Sequence, residues 1–343
     1  AQRRGQSLDF SFLDRPAGFR IAGSTFRPSD TIFEALLVGV KNTLLVAGVG
    51  IVLAMMLGLV VGIARLSTNW LVARVAMIYV EAIRNIPLLV IIFFWSAAVI
   101  LKMPRIDDPA TLPGLILSNR GLWIPWFVGR ERFRPFLALL LIAFLVAAVV
   151  WVWRTRRSET TGLPHRRLTW SVVVFVGIAL VSYVALGDPV VGTLPQRSGR
   201  AITGGFTILP SFAALLAALV VYTASHIGEI VRGSIQAVAK GQTEAALALG
   251  FSPTQRLRLV ILPQAFRVAT PQLANQFLNL TKNSSLGIAV AYAELMTLAQ
   301  VSIANGSPAP QTIAILMLFY LAMSLSIAAL TNVVNRRLDW AAR

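Results

Sequence analysis

Long apolar stretches alternate with polar segments along the whole chain. A helix rises 1.5 Å per residue and needs about 20 apolar residues to cross about 30 Å of hydrocarbon. The pattern therefore predicts seven membrane spans, at residues 42–64, 75–101, 135–153, 168–187, 211–232, 268–301 and 311–335. Residues 31–40 are amphipathic, and they either extend the first span or lie along the membrane surface.

Two predicted spans contain polar or helix-breaking residues, which are Glu81, Arg84, Asn85 and Pro87 in the second and Pro271, Lys282 and Glu294 in the sixth. Pro271 is expected to break the sixth span. The third and fourth spans form a helical hairpin with a basic tip. Residues 103–134 and 188–210, rich in Pro and Gly, are expected to be surface loops, and Trp123, Trp126 and Phe127 suit a membrane interface.

The composition supports a polytopic membrane protein. Hydrophobic residues make up 56% of the 343 residues and charged residues 13%, with a mean hydropathy of +0.72. The 31 Lys and Arg exceed the 14 Asp and Glu, but they lie between apolar runs. That placement favours loops at a lipid surface over a nucleic-acid interface.

Metal and disulfide sites are not expected. The chain has no Cys, which excludes disulfides and thiolate ligands, and His165 and His226 lie too far apart in sequence to suggest a metal pair.

The polar segment 240–263 has the features of a docking loop. Residues 242–249 predict a short helix with Glu244 in its first turn, and Gly250 supplies a left-handed residue to close it. Ser252, Pro253 and Gln255 then predict the capping box of a second helix. Small residues leave one side of the first helix nearly bare, so that another protein can approach closely; they are Ala245, Ala246, Ala248 and Gly250.

This loop resembles the signature loop of ABC importer permeases, with the motif Glu-Ala-Ala, three residues, Gly, nine residues, an aliphatic residue, one residue and Leu-Pro. The matching positions are Glu244, Ala245, Ala246, Gly250, Leu262 and Pro263, while Val260 stands where the family usually has Ile. The resemblance implies a cytoplasmic coupling helix that sits in a cleft of an ATPase subunit. The alternative is a solvated loop that only turns the chain between two membrane helices.

Three further strings, at 79–90, 222–236 and 281–286, resemble polar amino-acid permeases. The resemblance covers about 31–101 and 205–335, and the insertion between them resembles that of the general L-amino-acid permeases. It implies an all-α type I ABC importer permease fold with an inserted helical hairpin, in a bacterial inner membrane. It also implies an ATPase that binds ATP and Mg, a periplasmic binding protein and a second, similar permease, with no cofactor in this chain.

The number of predicted spans between two segments decides whether they lie on the same side of the membrane. If the docking loop is cytoplasmic, residues 1–30 form an outer N-terminal segment, and an upstream span is expected before it. The core helices occupy 31–101 and 206–335, the inserted loop and hairpin 102–205, and a cytoplasmic tail 336–343. Arg130, Arg132 and Arg134 at an outer helix end run against the positive-inside rule.

A polar helical face marks the candidate substrate pathway. Asn275, Asn279 and Lys282 recur at i, i+4 and i+7 near the middle of a span, so they are expected to face the permease interior. Asn283, Ser284, Glu81 and Arg84 complete the candidate set. Two structural alternatives stay open: Lys282 pairs with Glu81 or Glu294, or Glu81 and Arg84 neutralise each other. Glu229 and Arg232 are expected to form a structural pair.

The sequence bears on three function classes. A permease powered by a separate ATPase fits the docking loop and the lack of a Gly-x4-Gly-Lys-Ser/Thr phosphate loop. An ion- or proton-coupled amino-acid transporter predicts two similar halves, which the sequence does not show. A membrane enzyme would need a nucleophile motif or a cluster of His, Asp and Glu, and the sequence contains neither, so the chain is expected to be non-catalytic.

Overall fold

The computed structural model describes residues 9–161, 166–199 and 201–340. The chain forms two units. The core unit comprises Ala1–Met103 and Leu209–Arg343, and the inserted unit comprises Pro104–Ile208.

In chain order, the α-helices are α1 (Ile32–Ala64), α2 (Trp70–Arg84), α3 (Leu88–Phe93), α4 (Phe133–Thr161), α5 (Arg167–Leu186), α6 (Pro210–Gln236), α7 (Lys240–Ala248), α8 (Pro253–Arg256), α9 (Leu262–Asn283), α10 (Leu295–Ala304) and α11 (Ala309–Trp340). The strands are β1 (Ala110–Leu112), β2 (Leu115–Ser118), β3 (Gly121–Ile124), β4 (Trp126–Gly129), β5 (Val190–Thr193), β6 (Gln196–Ser198), β7 (Ala201–Thr203) and β8 (Phe206–Ile208). Tighter 3₁₀ turns occur at Ser11–Asp14, Ile100–Lys102 and Ser284–Val290, and wider π-turns at Phe94–Val99 and Leu257–Ile261.

By length and composition, the described helices account for five to seven spans. Five helices are each long and apolar enough to cross a membrane, namely α1, α4, α5, α6 and α11. Two pairs of helical segments separated by a bend are long and apolar enough when taken together, namely Trp70–Arg84 with Leu88–Lys102 and Pro253–Val290 with Leu295–Ala304. The prediction of seven spans holds when each bent pair is one span. Residues 32–40 extend the first span, because α1 is continuous from Ile32.

The second predicted span is not one helix. The chain bends by 106° between α2 and the segment Leu88–Lys102. Proline disfavours helical geometry in the residue before it, so Ile86 cannot easily continue α2 into Pro87. The Asn85 side-chain amide donates to the carbonyl of Glu81 at 2.7 Å and thereby closes the end of the helix.

The predicted break of the sixth span at Pro271 is wrong, because α9 continues through it. Proline removes one donor to a carbonyl four residues earlier, here that of Arg267. On either side of that carbonyl, Thr270 Oγ1 donates to Phe266 O at 2.6 Å and Gln272 Nε2 donates to Val268 O at 3.1 Å. The bend of 46° comes later, before α10, where Ala291 adopts a φ of 54°.

The core unit is built around α1 and α6, which approach each other closely along Gly58 and Gly62. A Cβ on Gly58 would lie 2.5 Å from Cγ2 of Ile227, and one on Gly62 would lie 2.7 Å from Cβ of Val231. Small residues allow such close backbone approach between membrane helices. The cluster of buried residues around this contact extends to α9 through Leu273 and Leu280.

A second cluster of buried residues packs the N-terminal segment against the rest of the core unit. Phe12, Ala17 and Ile21 pack with the start of α1 and with α10. The start of α1 carries a capping box, because the Thr31 hydroxyl accepts from Glu34 N while the Glu34 carboxylate accepts from Thr31 N.

The described residues of the inserted unit form the helical pair α4 and α5 and three small antiparallel sheets. The sheets have the strand orders β1-β2-β3-β8, β4-β5 and β6-β7. The molecule is mostly helical, but the segments 103–134 and 188–210, which were predicted as loops, contain the strands β1–β4 and β5–β8. Trp123 also differs from the expectation of an interface position, because it is buried in β3 at 8% exposure, whereas Trp126 and Phe127 are exposed.

Candidate coupling and translocation sites

The docking loop has the predicted turn. Gly250 adopts a φ of +75°, a conformation that only glycine takes without strain, and its N–H donates to Leu247 O at 2.9 Å. Phe251 N donates to Ala246 O at 3.0 Å, which closes the end of α7. The capping box is also confirmed, because Ser252 Oγ accepts from Gln255 N while Gln255 Oε1 accepts from Ser252 N.

Two details of this loop differ from the prediction. Helix α7 begins at Lys240, so Lys240 and Gly241 open the helix, and Glu244 lies beyond its first turn. Leu262 and Pro263 do not close the loop but begin α9, directly after the π-turn Leu257–Ile261. Pro263 has no N–H for the carbonyl of Leu259, and a wider turn before it accommodates that gap.

The side of the docking loop that was predicted to be bare is exposed at Ala245, Ala248 and Gly250 but not at Ala246. Ala246 is buried at 3% exposure and therefore belongs to the inside of the loop. Glu244 and Ala245 are exposed as expected. Sequence reasoning missed Leu247 and Leu249, which are 54% and 74% exposed. Two leucines within a polar segment were the available signal, and they give the docking loop an apolar surface suited to a protein partner.

The predicted polar face exists on α9, but it does not point into this chain. Asn275, Asn279 and Lys282 are all exposed on the same helix. The opposite side of α9, with Leu273 and Leu280, packs against the core of this chain. The face is therefore available to a second polypeptide.

The other candidate pathway residues divide between surface and core. Ser284 is fully buried, and its hydroxyl donates to Thr281 O at 2.7 Å, so it supports the turn after α9. Asn283 is half-buried, whereas Glu81 and Arg84 are exposed on α2.

None of the ion pairs left open for the pathway residues forms among the described residues. Neither Glu81 with Arg84 nor Lys282 with Glu81 or Glu294 makes an ion pair. Glu294 instead caps α10: its carboxylate accepts from Met296 N at 2.8 Å, Thr297 N at 2.7 Å and the Tyr320 hydroxyl at 3.0 Å. The carboxylate is fully buried, and those donors satisfy it without a cation.

Glu229 forms the expected pair with Arg232 and a second ion pair that local spacing does not reveal. Arg65, directly after α1, also binds the Glu229 carboxylate. Burial, followed by the nearby Arg232 cation, lowers the pKa of Arg65, although an arginine remains charged at physiological pH. The network links the end of α1 to α6 near the docking loop.

A polar cleft of about 560 Å³ lies among α2, α6 and α9. It brings together Arg84 and Asn275 of the candidate set, and its lining also includes His226, Gln272 and Gln276. Gln272 precedes Asn275 by three residues and extends the polar face by one turn, so the same periodicity could have identified it. Among the described residues, no group of His, Cys, Asp or Glu could hold a metal ion.

Residues 50–340 match the family model of the binding-protein-dependent transport system inner membrane component. The chain belongs to this family. It is therefore an inner-membrane transport component whose family works with a binding protein and an ATPase.

Curated relatives align with the permease over almost its full length. It is 39% identical to the general L-amino acid transport system permease protein AapQ of Rhizobium johnstonii, over 98% of this chain and 85% of the relative. It is 40% identical to the putative amino-acid ABC transporter permease protein YhdX of Escherichia coli, over 98% and 86%. The glutamate/glutamine/aspartate/asparagine transport system permease protein BztB of Rhodobacter capsulatus is 38% identical, also over 98% and 86%.

A solved structure, the crystal structure of an amino acid ABC transporter with histidines, shares the fold of the permease. The alignment covers 89% of this chain and 94% of the other, with a TM-score of 0.54 and 19% identity. The comparisons confirm the resemblance to amino-acid ABC importer permeases, and they do not support an ion-coupled carrier.

Proposed function

We propose that this chain is the permease subunit of an ATP-driven importer that translocates L-amino acids delivered by a binding protein. The observation that carries this proposal is the polar cleft among α2, α6 and α9, where Arg84 lies with Gln272 and Asn275. Every amino acid presents a carboxylate, and a guanidinium binds a carboxylate through two parallel hydrogen bonds. The amides offer both donors and acceptors and suit neutral or polar side chains.

The names of the relatives support the substrate class. AapQ is described as a general L-amino acid permease, and BztB as one for glutamate, glutamine, aspartate and asparagine. All of these substrates carry the same carboxylate and ammonium groups. In the cleft, the Arg84 guanidinium and the amides can bind the carboxylate, and Glu229, which also lines the cleft, carries the charge opposite to the ammonium. We assign that recognition to the cleft.

The exposed face of α9 supports a second permease subunit. Asn275, Asn279 and Lys282 are exposed in the single chain. A lysine facing lipid at the centre of a membrane costs about 2.5–3.5 kcal/mol on insertion scales. A second, similar permease that covers this face removes that cost and places the pathway between the two subunits.

Energy enters through the docking loop. Leu247 at the end of α7 and Leu249 directly after it present an apolar surface, and the ATPase covers it. Gln264 Nε2 donates to Gln242 Oε1 at 3.2 Å, so the loop is tied to α9, the helix that carries the polar face. The ATPase binds ATP and Mg, and this chain performs no catalytic step itself.

The test measures uptake by proteoliposomes that contain the permease with its ATPase, its permease partner and its binding protein. We expect Arg84→Gln to raise the apparent KM for labelled L-glutamine or L-glutamate at least about tenfold, because a hydrogen bond to a charged group contributes about 1.5–3 kcal/mol. Arg74→Gln is the matched control, since Arg74 is exposed on the same helix but outside the cleft.

Unchanged KM and kcat in an assembled Arg84→Gln transporter would show that the cleft does not bind the substrate. Uptake that continues without the ATPase would contradict the ATP-driven mechanism.

A further inference from the structure

The free end of the α4–α5 hairpin carries an unusual concentration of arginine and tryptophan. Residues 151–170 contain five arginines and a single acidic residue, Glu159. Three arginines stack on three tryptophans: the Cζ atoms of Arg154, Arg157 and Arg167 lie 4.7, 5.5 and 5.0 Å from the ring centroids of Trp170, Trp153 and Trp151, respectively. We call these six residues the Arg–Trp cluster.

Two of these stacks join the two helices. Arg154 of α4 lies over Trp170 of α5, and Arg167 of α5 lies over Trp151 of α4. Arg167 NH1 also donates to Thr155 Oγ1 at 3.5 Å. The tryptophan ring contacts the flat face of the guanidinium. The N–H donors lie in the plane of the guanidinium and point away from it at the edges, where they can bind an oxyanion beyond the ring. The cluster is therefore a preorganised set of planar donors.

The length of the apolar part of α4 places the Arg–Trp cluster at the level of the lipid headgroups. The apolar part of α4 from Phe136 to Trp153 is about 27 Å long at helical rise, close to the thickness of a hydrocarbon core. Only 11% of the residues in the most apolar stretch of α4, and likewise of α5, are buried. Side chains such as Phe144 and Val149 are 61% and 67% exposed, as expected for helices that face acyl chains. The Arg–Trp cluster continues this lipid-facing surface at its edge.

We infer that the Arg–Trp cluster is a binding site for the phosphate headgroup of an anionic phospholipid. Tryptophan rings suit the boundary between acyl chains and headgroups, and arginine forks match the geometry of a phosphate. Each cation near an anionic leaflet contributes about a fivefold factor in binding. A protein partner is less consistent with the site, because the helices below it expose apolar side chains over most of their length.

The opposite end of the hairpin provides an internal comparison. It carries Arg130, Arg132 and Arg134, but none of these three described arginines stacks on a tryptophan. Acidic residues lie next to them, at Glu131 and Asp188. Three arginines can therefore be neutralised at either end of the hairpin, at one end where they stack on tryptophans and at the other where they do not.

The experiment measures binding of phosphatidylglycerol and phosphatidylcholine to the purified transporter complex in detergent, by native mass spectrometry and by lipid-dependent thermal stabilisation. We expect the wild-type protein to retain phosphatidylglycerol in preference to phosphatidylcholine, and to lose it as ionic strength rises. The triple variant Arg154→Gln, Arg157→Gln, Arg167→Gln is expected to bind phosphatidylglycerol at least about tenfold more weakly. The control Arg130→Gln, Arg132→Gln, Arg134→Gln should bind phosphatidylglycerol more tightly than that variant, because Glu131 and Asp188 already offset the charges it removes.

A second triple variant, Trp151→Leu, Trp153→Leu, Trp170→Leu, keeps the charges and the apolar surface but removes the rings. We expect it to bind phosphatidylglycerol more weakly than wild type and more tightly than the arginine variant. The inference is overturned if the wild-type protein does not distinguish the two lipids, or if the arginine variant binds phosphatidylglycerol as tightly as wild type. Loss of the ATPase or of the second permease from the arginine variant, with lipid binding unchanged, would also overturn it and assign the cluster to a protein contact.

Discussion

Leu247 in α7 and Leu249 directly after it provide the sharpest test of the docking loop. Fully burying a leucine side chain stabilises a contact by about 1.5–3 kcal/mol. Leu247 and Leu249 are 54% and 74% exposed, so a partner that covers both can gain a large part of two such contributions. Because alanine keeps the first carbon of the side chain, we expect Leu247→Ala with Leu249→Ala to weaken ATPase binding by about 1–3 kcal/mol, or about 5- to 150-fold in Kd.

The assay measures the Kd between the detergent-solubilised permease and the purified ATPase, together with ATP-dependent uptake. Both substituted residues are exposed, so the variant should insert and fold normally. Leu194→Ala, which removes a leucine that is 58% exposed in the inserted unit, is the matched control. If the double variant binds the ATPase with wild-type Kd, the apolar surface of α7 is not the contact, and the coupling role of this loop must rest on other residues.

Two further predictions concern packing and topology. Gly58→Ala should destabilise the permease by about 1–3 kcal/mol more than Gly48→Ala. A Cβ at Gly58 would lie 2.5 Å from Ile227, whereas one at Gly48 would meet no described atom within 4 Å beyond its own stretch of helix. The gain in helix propensity is common to both substitutions, so equal stabilities in detergent-induced unfolding would refute the close packing of α1 and α6. In intact cells, Thr254→Cys should be shielded from an impermeant thiol reagent while Thr111→Cys reacts, and the chain has no native Cys to add background. Labelling of Thr254→Cys from outside would reverse the predicted orientation.

Sequence determined the features that depend on neighbouring residues. Apolar runs of sufficient length predict the membrane helices, because hydrocarbon requires every backbone polar group to bond within its own segment. The caps of the docking loop were also predictable, since Gly250 and the pair Ser252 and Gln255 act over a few residues. The common face of Asn275 and Lys282 followed from helical periodicity alone.

Tertiary structure decided what those elements contact. Arg65 reaches Glu229, which is 164 residues away, and β3 pairs with β8, where Leu122 lies opposite Ile208. No local pattern encodes such pairs, because their energy arises only when distant segments meet. For the same reason, periodicity predicted the polar face of α9 but not its direction. Packing of the opposite side of α9 against the core turns that face outward, so the candidate pathway lies on the surface of the single chain.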